Sequence, residues 1–166
     1  KEKPYDYIDT HAGAGLYRLD TGAAKKNSEF MTGIGHFRPT TRHNIPALTD
    51  YLNQVDQCNK LGQLKLYPGS PTIAAAMMRA QDKAWLHELH PTDFNRLEQQ
   101  FQGQRSVKVR DIDGFKALSG LLPTQSRRAL ILIDPSYELK EDYRRVVSTV
   151  KMAHKRMSTA TFAIWY

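Results

Sequence analysis

Five runs of apolar, β-branched and aromatic residues punctuate the chain at 5–9, 84–90, 106–112, 129–134 and 160–166, each the length of a strand. Leu130-Ile131-Leu132-Ile133 is apolar without interruption, the pattern of a central strand covered on both faces of a parallel sheet. Between the runs, apolar positions recur at helical spacing. Ile45, Leu48, Leu52 and Val55 predict a helix over 45–61 that stops at Gly62. A second is expected after Ser70, with Pro71 in its first position and Ile73, Met77 and Met78 turned inward. Phe94, Leu97 and Phe101 mark a third. Phe115, Leu118 and Leu121 mark a short fourth after Gly114. The longest carries Leu139, Tyr143, Val146, Val147, Val150 and Met157 on one face. Trp85 and Trp165 fall in strands and are expected in the core. Strands alternating with helices predict an α/β domain whose crossovers cover both faces of a mostly parallel sheet. The first crossover is too long for one helix, so 21–66 reads as a loop and helical insertion within one domain spanning 1–166.

The 166 residues are 40% hydrophobic and 25% charged, which supports a real core and excludes a chain disordered throughout. No apolar run reaches the length of a membrane span. The single cysteine, Cys58, excludes an internal disulfide framework and a four-cysteine metal site. A reducing, cytoplasmic setting follows most simply, and a monomer without a bound metal is expected. The net charge of +7 fits either solubility or a polyanionic partner. The basic residues Arg127, Arg128, Arg144, Arg145, Lys151, Lys155 and Arg156 read mainly as a solvated helix face. Lys25, Lys26, Arg38 and Arg42 in the long insertion are the better candidates for RNA contact.

The chemistry concentrates at strand ends. Asp9-Thr10-His11-Ala12-Gly13-Ala14-Gly15 closes the first strand, where two glycines permit a tight turn and close approach of a ligand. A dinucleotide fingerprint would need a third Gly or Ala at position 18, which is Arg. The pattern resembles instead motif I of S-adenosylmethionine-dependent methyltransferases, although a structural turn reads equally well from this segment alone. Glu88 ends the second strand, where a carboxylate suits the two hydroxyls of a ribose. Asp113-Gly114 follows the third; the acid could accept from an adenine amine. Asp134-Pro135-Ser136-Tyr137 follows the buried fourth strand. It resembles the (Asp/Asn)-Pro-Pro-(Tyr/Phe) motif of amino-methyltransferases, with Ser136 in place of the second proline. An exocyclic amine is a poor nucleophile because its lone pair is delocalised. The Asp134 carboxylate and the Pro135 carbonyl can accept its two N–H bonds, and Tyr137 can stack on the extruded base. The carboxylate then stabilises the cation that forms or takes its proton.

Longer strings narrow the match: Tyr7 to Gly15, Gly62-Gln63-Leu64, Tyr67-Pro68-Gly69-Ser70-Pro71, Glu88-Leu89-His90-Pro91, and Arg127 to Pro135. Together they resemble the bacterial RlmJ family, which methylates N6 of an adenine in 23S ribosomal RNA. The resemblance implies a Rossmann-like class I methyltransferase fold, S-adenosylmethionine as cofactor and 23S rRNA as partner. It implies a cofactor pocket of His11, Ser70, Glu88, Asp113 and Gly114, with Asp134 as the catalytic acceptor; the strand-end motifs above add Gly13 and Gly15 to the cofactor side and Pro135 and Tyr137 to the catalytic side. Ser70 is expected to cap the helix that follows, near donors for the cofactor's carboxylate; the role of His11, donor or acceptor, stays open. The chain opens on Lys1 and closes inside an apolar run, so it is expected to be a fragment lacking the last two strands of the family's sheet. The alternatives are a DNA-directed amino-methyltransferase, or a non-catalytic nucleic-acid-binding protein serving the use of external DNA.

Overall fold

The computed structural model describes residues 3–21, 29–37, 45–59 and 63–166. Lys25, Lys26, Arg38, Arg42 and the stop at Gly62 lie outside them. In chain order the elements are β1 (Asp6–Asp9), β2 (Leu16–Arg18), α1 (Glu29–Thr32), a 3-10 turn (Ile34–Phe37), α2 (Pro46–Gln57), β3 (Leu66–Pro68) and α3 (Ser70–Met77). There follow β4 (Lys83–His87), α4 (Pro91–Gln100), β5 (Val107–Arg110), α5 (Gly114–Leu121), β6 (Ala129–Ile133), α6 (Glu141–Arg156) and β7 (Thr161–Ile164).

The main sheet has the order β5-β4-β1-β6-β7, with every pair parallel. Parallel neighbours need crossovers, and the helices between them supply these from both faces. On one face Ile8, Ile131 and Ile133 pack against Phe115 and Leu118 of α5 and Val146 and Ala153 of α6. On the other, Tyr7, Ala84, Leu86 and Val107 pack against Leu97 of α4, with Ala74, Ala75 and Met78 of the α3 segment alongside. Ile8, Leu86, Ile131 and Ile133 are fully buried, each contributing about 1.5–3 kcal/mol from lost apolar exposure. The order reverses between β1 and β6, so the crevice of this doubly wound sheet opens at the carboxyl ends of those two strands.

All five expected strands form, with ends trimmed by a few residues, but several packing expectations fail. β1, not β6, is the strand buried at every position. Leu130 is exposed because α3 and α4 cover the β1-β4-β5 side and reach β6 only at Leu132. Met77 is exposed; the inward stripe of α3 is Ala74, Ala75 and Met78, spaced at one helical turn. Trp165, beyond the end of edge strand β7, is 72% exposed, whereas Trp85 is half-buried and donates from Nε1 to Asp6 Oδ1 at 2.9 Å. On α6 the buried stripe is Asp142, Val146, Thr149 and Ala153; Tyr143 and Val147 are exposed flanks, and Leu139, which precedes the helix, is exposed too. The insertion is not simply loop, since α1 and the 3-10 turn lie inside it. β2 and β3, a two-stranded antiparallel ribbon absent from the sequence reading, brings Leu16 opposite Pro68.

Candidate functional site

Motif after motif arrives at the crevice. Past Asp9 the chain stays tied to both neighbouring strands: Thr10 N donates to Leu132 O at 3.1 Å and Ala12 N to His87 O at 2.9 Å. It then turns through Gly13 (φ 60°) and Gly15 (φ 76°), left-handed conformations that favour glycine. Space makes the same demand. A Cβ on Gly15 would lie 2.8 Å from Leu97 Cδ1, and one on Gly13 would strike the Tyr17 hydroxyl. The turn is clamped to the start of α3 by Gly69 N, which donates to Gly15 O at 2.8 Å.

Glu88 holds this turn from β4. Its Oε2 accepts from Gly13 N at 2.8 Å and its Oε1 from His90 N at 2.7 Å. Each oxygen of a carboxylate offers about two acceptor sites, so one remains on each. Two free acceptors side by side on a fixed carboxylate match a vicinal diol.

Beneath the turn lies Asp9, fully buried. Its Oδ2 accepts from Tyr7 Oη at 2.8 Å and Ser70 Oγ at 2.7 Å, and its Oδ1 accepts from His11 N at 3.2 Å. Burial, with a smaller contribution from the nearby Asp134 charge, pushes its pKa up to about 6 against the lowering effect of those three donors. Ser70 is therefore not the helix cap. The cap position belongs to Gly69, no side chain caps there, and Pro71 stands second in the helix. With its hydrogen committed to Asp9, Ser70 Oγ can only accept, which suits an ammonium rather than a carboxylate.

His11 is half-buried beside Thr10. Thr10 Oγ1 lies 3.1 Å from Leu132 O, a pure acceptor, and 2.8 Å from His11 Nδ1. Both contacts form together only if the hydroxyl donates to the carbonyl and Nδ1–H donates to the hydroxyl, leaving Nε2 as the acceptor of a neutral ring. Burial lowers the pKa of His11 in keeping with that state. The ring meets Phe115 edge-on at 4.8 Å.

Asp113 caps α5: its Oδ1 accepts from Phe115 N at 2.9 Å and Lys116 N at 3.4 Å. Arg145 Nη2 donates to its Oδ2 at 2.6 Å. Gly114 brings this helix start against β1, where an added Cβ would sit 2.5 Å from Thr10 Cα. Thr10, His11, His87, Glu88, Leu89, Asp113, Gly114 and Arg145 enclose a cleft of about 80 Å³. That is a fraction of a nucleoside, so a larger ligand also needs the rim to give way, and Leu89, 61% exposed, is free to do so. A wider cleft of about 960 Å³ between α4 and edge strand β5 holds none of these residues.

Across the crevice, Asp134 leaves β6 with an exposed carboxylate that has no hydrogen-bond partner among the described residues. Partial burial raises its pKa. Pro135 is buried beneath it. Tyr137 has φ 54°, donates from Oη to Trp165 O at 2.6 Å, and packs one face of its ring on Tyr143 at 4.5 Å. The expected residues His11, Gly13, Gly15, Ser70, Glu88, Asp113, Gly114 and Asp134 thus converge, with Pro135 and Tyr137 in the adjoining turn. Asp9, Tyr7 and Arg145 join them unforeseen. Asp9 was legible as the first letter of the glycine motif; nothing in the spacing of Arg145 announced its partner. Among the described residues no group of three His, Cys, Asp or Glu could hold a metal ion.

A family model described as "RsmJ: Ribosomal RNA large subunit methyltransferase D, RlmJ" matches residues 2–166. The chain belongs to the RlmJ family. It is 46% identical over 167 residues to "Ribosomal RNA large subunit methyltransferase J" of Escherichia coli, and 42% identical over 168 residues to the protein of that name in Haemophilus influenzae. Each match covers all of this chain and 59% of the relative, so the chain spans about three-fifths of their length. The crystal structure of protein LPL1258 from Legionella pneumophila superposes with a TM-score of 0.85 at 37% identity, over all of this chain and 61% of that one. Among the described residues no helix is long and apolar enough to cross a membrane.

Proposed function

We propose that the chain carries the methyl-transferring site of an enzyme that modifies N6 of an adenine in 23S ribosomal RNA, acting as a cytoplasmic monomer with S-adenosylmethionine as donor. The observation that carries this reading is the Asp134 carboxylate, just past the end of β6 beside the order reversal and without a hydrogen-bond partner among the described residues. Its charge reaches Asp9 under the glycine turn.

The residues fit the donor by hydrogen-bond polarity. Glu88 offers one free acceptor on each oxygen for the ribose hydroxyls, Ser70 an acceptor for the ammonium, and Gly13 and Gly15 the tight left-handed turn that Glu88 holds at the strand end. Bound there, S-adenosylmethionine supplies an electrophilic methyl group. On the acceptor side, Asp134 and the Pro135 carbonyl take the two N–H bonds of the target amine and draw its nitrogen out of conjugation. Asp134, its pKa raised by burial, is a better proton acceptor than an ordinary aspartate and removes the proton that methylation makes acidic. Tyr137, its ring held against Tyr143 and its hydroxyl on Trp165 O, is the stacking residue for the extruded base.

The test is transfer of labelled methyl groups to deproteinised 23S rRNA and to duplex DNA, with the native protein and Asp134→Ala. Label in RNA that depends on Asp134 supports the reading. Label in DNA alone moves the substrate to DNA, and RNA binding without transfer makes the site a binding module.

A further inference from the structure

We infer that Arg145 is the positioning residue by which this site selects a donor bearing an exocyclic amine on its purine; this rests on the donor assignment above. Asp113 has about four acceptor sites, of which the start of α5 takes two on Oδ1 and Arg145 takes one on Oδ2. One acceptor remains, on Oδ2, and Asp113 lines the same cleft as Glu88. A lone carboxylate acceptor on a cleft wall recognises an N–H donor.

The cap contacts alone hold the planar carboxylate of Asp113 loosely, the second of them at 3.4 Å, and the terminal torsion of Asp is broad, so both oxygens can turn together about Cβ–Cγ. Arg145 removes that freedom. Its guanidinium is itself held on three sides: by Asp113 at 2.6 Å, by Asp142 Oδ1 at 3.6 Å, and by the Phe115 ring, whose centroid lies 4.5 Å from Cζ. Phe115 in turn rests against His11. Arg145 thus ties α6 to the cap of α5 and aims the last acceptor of Asp113. A planar fork can do this; a lysine ammonium on a flexible stem cannot hold the same direction.

The test is calorimetric titration of the purified protein with S-adenosylhomocysteine and with its analogue bearing hydrogen in place of the 6-amino group. The native protein should bind the first at least about tenfold more tightly, the value of a hydrogen bond to a charged acceptor. In Arg145→Gln the ratio should fall to within about threefold. In Arg145→Lys, which keeps the charge and serves if the Gln variant fails to fold, it should fall short of the native ratio. Glu88→Gln should weaken both ligands by one factor and leave the ratio unchanged, a result that general loosening of the pocket would not give. A native ratio near one, or a ratio that survives both Arg145 variants, overturns the inference alone. Failure of the native protein to bind either ligand overturns the donor assignment, and this inference with it.

Discussion

Replacing Asp9 by Asn tests the electrostatics under the glycine turn. The carboxylate is fully buried with a pKa of about 6, against 3.8 for an unperturbed aspartate. A carboxyl group whose folded pKa is raised is protonated more readily in the native than in the unfolded state. The native state therefore binds the extra proton, and stability rises as pH falls through 6 towards 4. Above pH 7 the buried charge costs about 3 kcal/mol. Between pH 7.5 and pH 5 the wild type should regain about 1.4 kcal/mol of that cost, while an asparagine regains none. The amide can keep the same network, its oxygen accepting from His11 N and its NH₂ donating to Tyr7 and Ser70, whose hydroxyls reverse. The assay is urea unfolding of both proteins from pH 5 to 7.5, with equal m-values as the check on comparability. His11 and His87, whose pKa values are lowered by burial, titrate in both proteins and largely cancel in the difference. The wild type should gain on Asp9→Asn as pH falls. A difference that stays flat, or grows the other way, refutes the assignment of that charge to Asp9.

Asp134→Ala should lower methyl transfer by about a thousandfold, with S-adenosylhomocysteine affinity measured calorimetrically within about threefold of native; Asn at that position should retain more activity, keeping one acceptor without the base. Glu88→Gln should weaken S-adenosylhomocysteine about tenfold or more in the same titration. Two glycines of α5 should respond oppositely to alanine in urea melts. Gly114→Ala should lose at least about 2 kcal/mol because its Cβ meets Thr10 backbone. Gly120→Ala should gain about 0.5 kcal/mol of helix propensity, since nothing lies within 4 Å.

The five strands were legible because β-branched and aromatic runs bounded by turn residues carry their own signal. The candidate site was legible because its members end those strands, and in an open α/β sheet strand ends at the order reversal form the crevice. Burial was less legible. Leu130 and Ile131 read alike in the sequence, and only the placement of α3 and α4 makes one exposed and the other buried. Met77 and Trp165 failed for the same reason: hydrophobicity says what a residue prefers, not which neighbour arrives to cover it. Ser70 looked like a cap, because a serine before a proline at a helix start usually is one.

What the chain determined by itself was the succession of elements and the residue types at their ends, both set by local backbone preference and periodicity. What the tertiary structure decided was the direction of each hydrogen bond. Glu88 finds Gly13 at 75 residues' separation, Ser70 finds Asp9 at 61, and Arg145 finds Asp113 at 32. Those pairings set which lone pairs are spent, which remain for a ligand, and how far burial shifts each charge. A side chain's chemistry is fixed by its identity, but its free valence is fixed by the partners the fold delivers.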